Sequence, residues 1–149
     1  MRILLQRVSR ASVESGGITV GQIGVGLLAF LGVSATDTPA LAGKLAGKIS
    51  RLRIFPDGDG KTNLSAQDVN GGILVVSQFT LYADCKKGNR PSFTGAGDPR
   101  QAEAVYEHFI QECRGQFQNV ASGAFGAEMK VSLVNEGPFT IMLEEEISP

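Results

Sequence analysis

Between Arg2 and Glu14 the chain is dominated by β-branched and aliphatic residues, and Ser15-Gly16-Gly17 supplies a turn signal. A β-hairpin is predicted, with Ile18 to Ile23 as the returning strand. Gly24 and Gly26 break the pattern before Leu27 to Val33, a short apolar run of the kind buried on both faces of a sheet. The period then changes. Leu41, Leu45, Ile49 and Leu52 recur at helical spacing, behind Thr38 as N-cap and Pro39, whose missing N–H is harmless in a first turn. Arg51 to Phe55 is predicted to leave this helix as a strand, ended by Pro56 and the Asp57-Gly58-Asp59-Gly60 turn.

Ile73 to Tyr82, following Gly71-Gly72, reads as the central strand. Ala83 to Gly97 has no periodicity and carries Lys86, Lys87 and Arg90; loops of this length in a compact domain are usually functional or mobile. A second helix opens with Asp98 as N-cap, Pro99 at the first position and Gln101 three residues after the cap, the pattern of a capping box. Ala102, Val105, Tyr106, Phe109, Ile110 and Cys113 form its apolar face. Three strands are predicted to follow: Phe117 to Ser122, Lys130 to Asn135, and Phe139 to Glu145. The Gly137-Pro138 pair between the last two reads as a hairpin turn or as a functional element. Strands, helix, strand, helix, strands, with no repeat or linker, predict one α/β domain over residues 1–149 with a mixed, largely antiparallel, sheet.

Composition narrows this picture. A chain of 149 residues with 42% apolar content suits one ordinary core. Met1 to Arg7 has no secretory apolar core, and Val25 to Val33 is too short to cross a bilayer, so no membrane partner is expected and the cytoplasm is the expected compartment. Cys85 and Cys113 fit neither a zinc pattern nor a C-x-x-C pair, and two reduced thiols agree with that compartment.

Several chemistries are disfavoured. His108 lies off the apolar face of its helix, and Ser77 lacks a G-x-S-x-G elbow, so no triad is expected. Asp57-Gly58-Asp59-Gly60 has its glycine at the fourth position and Asp68 at the twelfth, which is a turn rather than a calcium loop; no metal or cofactor is expected. Two segments stand out. In Ser77-Gln78-Phe79-Thr80 an apolar strand suddenly carries three polar side chains, which must be satisfied or presented to something. The other is Asn135-Glu136-Gly137-Pro138-Phe139-Thr140.

Together these segments resemble the signature of the D-aminoacyl-tRNA deacylase family, and the resemblance runs along nearly the whole chain. Leu5 to Val13 is similar to the family's first strand, and Leu52-Arg53-Ile54-Phe55 and Asn63-Leu64-Ser65 to its middle. Ser77 to Asp84 and Arg90-Pro91-Ser92-Phe93 resemble its most specific block; Phe125-Gly126-Ala127-x-Met129 and Asn135-x-Gly137-Pro138-x-Thr140 complete it. Glu136 and Phe139 stand where the family more often has Asp and Val.

The resemblance implies a barrel-like fold and a homodimer in which Gly137-Pro138 of one chain, with a cis peptide bond, enters the partner's active site. Ester hydrolysis would occur at Ser77, Gln78, Phe79 and Thr80, with the Phe79 N–H among the oxyanion donors. Gly137, Pro138, Arg7, Phe125 and Met129 would bind substrate, with Arg7 gripping the incoming Gly-Pro carbonyl. The Gly-Pro carbonyls would hold the α-ammonium, so that an L side chain clashes and a D side chain does not; glycine, with no side chain, would also be accepted. The ribose 2′-hydroxyl would assist, with Thr80 as a weaker nucleophile candidate, and the partner would be RNA rather than DNA. A net charge of −1 suits contact with only the acceptor end, with Lys86, Lys87, Arg90 and Arg100 as candidate phosphate contacts. The rival readings are a paralogous editing deacylase for small L-amino acids with Gly-Pro trans, a non-catalytic RNA-end-binding module, and a small-molecule esterase.

Overall fold

β1 (Arg2–Ser15) is hydrogen-bonded along both edges. One edge pairs antiparallel first with β3 (Gly26–Gly32) and then with β2 (Ile18–Ile23), and the other with β8 (Lys130–Glu144). Beyond β3 the direction changes: β6 (Gly72–Ser77) runs parallel to β3, and β7 (Val120–Ser122) parallel to β6. The sheet curls until β2 meets β7, where a Cβ at Gly21 would stand 2.7 Å from the Ser122 carbonyl oxygen. This is the mixed, nearly closed, barrel-like sheet with two helices expected above. The computed structural model describes residues 1–146, so the last three positions of the expected 1–149 span lie outside the described residues.

Alternation along the central strands explains their continuous apolar sequence. Leu27, Ala29 and Leu31 of β3, with Ile73 and Val75 of β6, face α1 (Pro39–Arg51) and α2 (Pro99–Arg114). Leu28, Leu74 and Val76 point the opposite way, into the barrel, against Val8, Ala11 and Val13. Leu45 and Ile49 of α1 and Phe109 of α2 have no exposed surface. Burial of each such side chain contributes about 1.5–3 kcal/mol.

The helix starts follow their caps: Thr38 Oγ1 accepts from the Leu41 N–H at 3.3 Å, and Asp98 Oδ1 from the Arg100 N–H at 3.0 Å. The capping box at Asp98 is not formed. The Gln101 amide donates instead to the carbonyls of Asp37 at 2.8 Å and Ser34 at 3.3 Å, tying α2 to the loop that follows β3. The strand expected over Arg51 to Phe55 is also shorter. Arg51 remains helical, Leu52 caps the helix, and only Phe55–Pro56 (β4) pairs, with Thr62–Leu64 (β5). The final core strand covers Val120–Ser122, not Phe117 to Ser122.

Asp57 accounts for its turn. Its carboxylate accepts from the backbone N–H groups of Lys61 and Asp59 and from the Asn63 amide, and the Lys61 bond above all holds it below the usual carboxylate range. His108 pairs with Glu112 one turn on, at 3.2 Å, on the open face of α2.

Cys85 is exposed and Cys113 buried, both as free thiols, and burial pushes the Cys113 thiol up to about 12. An alkylating reagent at mildly alkaline pH is expected to modify one thiol in the native protein and the second only after unfolding, because the thiolate is the reactive form. Mass spectrometry of a time course checks this; equal rates at Cys85 and Cys113 would contradict the seating of α2.

Candidate active site

The apolar run of β6 ends at Ser77, which pairs with Leu31 as the last rung between β6 and β3. The strand expected to continue to Tyr82 does not. Gln78 leaves the sheet, and Phe79–Tyr82 form one turn of 3₁₀ helix, with no buried residue. Polar side chains at this point are therefore accommodated by turning the backbone out of the core rather than by satisfying them inside it.

Beyond this end of the two parallel strands lies a cavity of about 510 Å³. A crevice beyond the carboxyl ends of parallel strands is where α/β sheets usually bind ligands. Ser77, Gln78 and Phe79 form one wall, Phe125 and Met129 another, and Pro99 at the start of α2 a third. The walls are mostly apolar, and none of the lining residues is ionisable. Phe79 is 56% exposed, and its ring meets Phe93 edge to face at 5.2 Å, which joins the long loop to the cavity rim. Phe125 leans on Tyr106 at 5.4 Å. The Tyr106 hydroxyl, pushed up to about 12 chiefly by burial, donates to the carbonyls of Val75 and Gly123.

Thr80 is exposed beside the cavity and does not line it. Its hydroxyl accepts from the Gln78 side-chain amide. An amide N–H cannot take a proton from it, so no general base activates Thr80 here. At the first position of the turn, the Phe79 N–H has no partner within the helix and is free to act as a donor.

Arg7, Gly137 and Pro138 lie elsewhere. The two strands expected on either side of Gly137-Pro138 are one continuous β8, and the pair is not a hairpin turn. Gln6 pairs with Thr140 and Val8 with Asn135, so residues 136–139 stand opposite Arg7 alone. The surplus residues bulge outward, as bulges do, and leave Glu136, Gly137 and Pro138 exposed. The Gly137–Pro138 peptide bond is cis.

Two side chains hold the bulge from within the chain. Arg7 donates to the Glu136 carbonyl at 2.8 Å and the Ile54 carbonyl at 2.7 Å, and its guanidinium lies 4.7 Å over the Phe139 ring. Within the chain its acceptors are thus the carbonyls of Glu136, one residue before Gly137, and of Ile54, and the bulky Phe139 serves as its platform. Asn135 brackets the loop from its base. Its side-chain oxygen accepts from the Phe139 N–H at 2.6 Å, while its amide donates to the Phe139 carbonyl and to the Thr140 hydroxyl. In the sequence Asn135 and Thr140 stand only as members of a pattern; the bracket they form is a matter of the fold. Leu31, Ala102 and Val131 also line the cavity, and in the sequence they carry only the signal of core.

The chain belongs to a family of hydrolases acting on aminoacyl-tRNA: the family model for D-Tyr-tRNA(Tyr) deacylase matches residues 4–144. A protein of Teredinibacter turnerae called D-aminoacyl-tRNA deacylase is 50% identical over 144 residues, 97% of this chain and 99% of that one. Proteins of the same name from Cellvibrio japonicus (95% and 97% covered) and Dehalococcoides mccartyi (97% and 94% covered) are 53% and 54% identical. A solved structure described as c-Myc DNA unwinding element binding protein superimposes with a TM-score of 0.92 at 41% identity, covering 99% of this chain and all of that one. A probable eukaryotic D-amino acid tRNA deacylase shares the fold, with a TM-score of 0.84 at 19% identity, 95% of this chain and 97% of that one being covered. The activity is therefore hydrolysis of the ester that joins a D-amino acid to tRNA. No helix among the described residues is long and apolar enough to cross a membrane.

Gly137 has φ +144°, and an added Cβ would sit 3.0 Å from an Arg7 guanidinium nitrogen and 3.0 Å from the Phe139 backbone nitrogen. Gly137→Ala is expected to destabilise the protein by roughly 1–3 kcal/mol. Thermal denaturation reads this as a lowered Tm, and an unchanged Tm would mean that the bulge is free to adjust.

Proposed function

We propose that the working enzyme is a cytoplasmic homodimer in which the Gly137-Pro138 bulge of each chain enters the partner's cavity and selects for D-substrates. The observation that carries this reading is the division of the site residues within one chain. Ser77, Gln78, Phe79, Phe125 and Met129 line the cavity, whereas Gly137 and Pro138 stand exposed on a rigidly braced bulge outside it. A braced polar loop presented to solvent suits insertion into a second molecule.

The character of β8 supports the same conclusion. It is a 15-residue edge strand paired only with β1, with no buried residue, and with Val134 and Met142 exposed. An edge this long invites pairing or cover by another chain. The two core clusters share β1, β3 and β6, which favours reading residues 1–149 as one domain.

The chemistry follows from the cavity. Its substrates are the acceptor ends of D-aminoacyl-tRNAs and of glycyl-tRNA. Carbonyl oxygens of the partner's Gly137 and Pro138 accept from the substrate α-ammonium, which fixes the Cα atom. A D side chain then points out of the cavity, an L side chain runs into the Gly-Pro backbone, and glycine offers nothing to reject. Water adds to the ester carbonyl carbon, and the developing oxyanion accepts from the Phe79 N–H, with Ser77 and Gln78 beside it. Collapse breaks the bond to the ribose oxygen, which leaves with a proton; the products are the free amino acid and deacylated tRNA. With no ionisable residue on the cavity wall, the neighbouring ribose 2′-hydroxyl orients and assists the water. That requirement excludes DNA, which has no 2′-hydroxyl, as the substrate.

Subunit mixing tests this reading. Phe79→Pro removes the donor N–H at a helix position that tolerates proline, and Gly137→Ala displaces the bulge. Each homodimer is expected to be impaired, while Phe79→Ala, which keeps the N–H, retains substantial turnover. Random re-pairing of Phe79→Pro with Gly137→Ala should restore roughly a quarter of wild-type activity, the share of sites combining both intact parts in a two-fold dimer. No recovery on mixing would place both parts in one chain and overturn the proposal.

A further inference from the structure

The turn that carries Phe79 has no buried residue of its own, so the core does not fix it. It must be held from outside. Beneath it lies Gly32 of β3, where an added Cβ would approach Leu81 Cβ at 3.1 Å, the Gln78 carbonyl oxygen at 3.2 Å and the Tyr82 ring at 3.3 Å. A backbone bond ties its start to the sheet, the Gln78 N–H donating to the Leu31 carbonyl at 2.9 Å, while the Ala83 N–H closes the turn on itself by donating to the Thr80 carbonyl at 3.0 Å.

One further contact comes from across the sheet. Arg2 is the β1 residue paired with Gly32. Its guanidinium donates to the Leu81 carbonyl at 2.8 Å, lies 4.6 Å over the Tyr82 ring, and meets Glu144 at 3.3 Å. Among the described residues, Arg2 is the only side chain of another element that hydrogen-bonds the backbone of this turn. Arg2 does not line the cavity.

We infer that Arg2 is a positioning residue for ester hydrolysis: by gripping the Leu81 carbonyl and the Tyr82 ring it fixes the turn whose Phe79 N–H receives the oxyanion. This rests on the reading of Phe79 given above. The physical case is one of leverage. An exposed ion pair such as Arg2–Glu144 contributes little to stability, yet the planar guanidinium constrains the turn through a carbonyl and a ring together. An oxyanion donor acts only when held at the place where charge develops, and a shift of about 1 Å is enough to lose much of the rate, roughly a hundredfold. Loss of Arg2 should therefore fall on kcat, while apolar contacts to the substrate, made by other walls, keep KM.

The test is steady-state deacylation of D-tyrosyl-tRNA by Arg2→Met, Arg2→Lys, Tyr82→Leu and Glu144→Gln, with Tm measured on each. Arg2→Met and Tyr82→Leu are expected to lower kcat roughly 10–100-fold, with KM and Tm close to wild type. Arg2→Lys should regain part of the loss, and Glu144→Gln should stay near wild type. The double variant Arg2→Met with Tyr82→Leu should lose no more than the worse single one, because both act through one turn. Unchanged kcat in Arg2→Met overturns the inference. So do losses that multiply in the double variant, or kcat and Tm falling in step, the mark of a structural role alone. Phe79→Pro, assayed beside them, separates two kinds of failure. If it is inactive while Arg2→Met is active, only the role of Arg2 falls; if it is fully active, the oxyanion reading falls and takes this inference with it.

Discussion

The cavity turn and the bulge both hang from β1, and its pairing on two edges is the constraint on which their geometry depends. Opposite Arg2 on one edge is Gly32, and over Gly32 sits the turn that carries Phe79. Opposite Arg7 on the other edge is the register shift that expels residues 136–139. Five residues along one strand thus separate the grip on the cavity wall from the grip on the bulge. A strand bonded on both sides moves little, so each guanidinium works from a fixed base. The two arginines act alike: Arg2 donates to one main-chain carbonyl and Arg7 to two, and each lies over an aromatic ring, Tyr82 for Arg2 and Phe139 for Arg7.

This arrangement suits the recognition by exclusion proposed for this enzyme. A pocket fitted to one side chain would exclude larger ones, because apolar contacts discriminate by size. Rejection by a rigid backbone asks nothing of the accepted side chain, but it requires that the backbone not yield. The bulge has the means for that in Asn135 at its base, Arg7 at its flank and a glycine whose φ of +144° is strained for any L side chain. The cavity wall is mostly apolar and without ionisable groups, and the proposed mechanism draws its polarity from oriented N–H dipoles and the substrate's own hydroxyl.

Much of the fold was legible in the sequence. Thr38-Pro39 and Asp98-Pro99 marked the starts of both helices, and the unbroken apolar runs of β3 and β6 announced strands covered on both faces. Errors came where long-range geometry decides. Tyr82 is as apolar as a strand residue, but the chain turns at Gln78 because the sheet ends at the Leu31–Ser77 rung. Pro138 lacks an N–H and suggested a break, yet a register shift lets β8 run past it as one strand. Gln101 fits a capping box by spacing, but the loop carbonyls of Ser34 and Asp37 claim its amide. The candidate residues were legible as a motif, while their division between a cavity and a distant bulge was not, since nothing local encodes which face of the fold each reaches. Arg2 carried no signal, because its partners lie 79 and more residues away.

Stereochemical rejection by a fixed backbone is most directly tested by deacylation of matched D-tyrosyl- and L-tyrosyl-tRNA, with glycyl-tRNA beside them and no metal added. The account predicts rapid loss of the D-ester and of the glycyl ester and a stable L-ester. Comparable hydrolysis of the L-ester would contradict it, because a rigid Gly-Pro bulge in the cavity leaves no place for an L side chain.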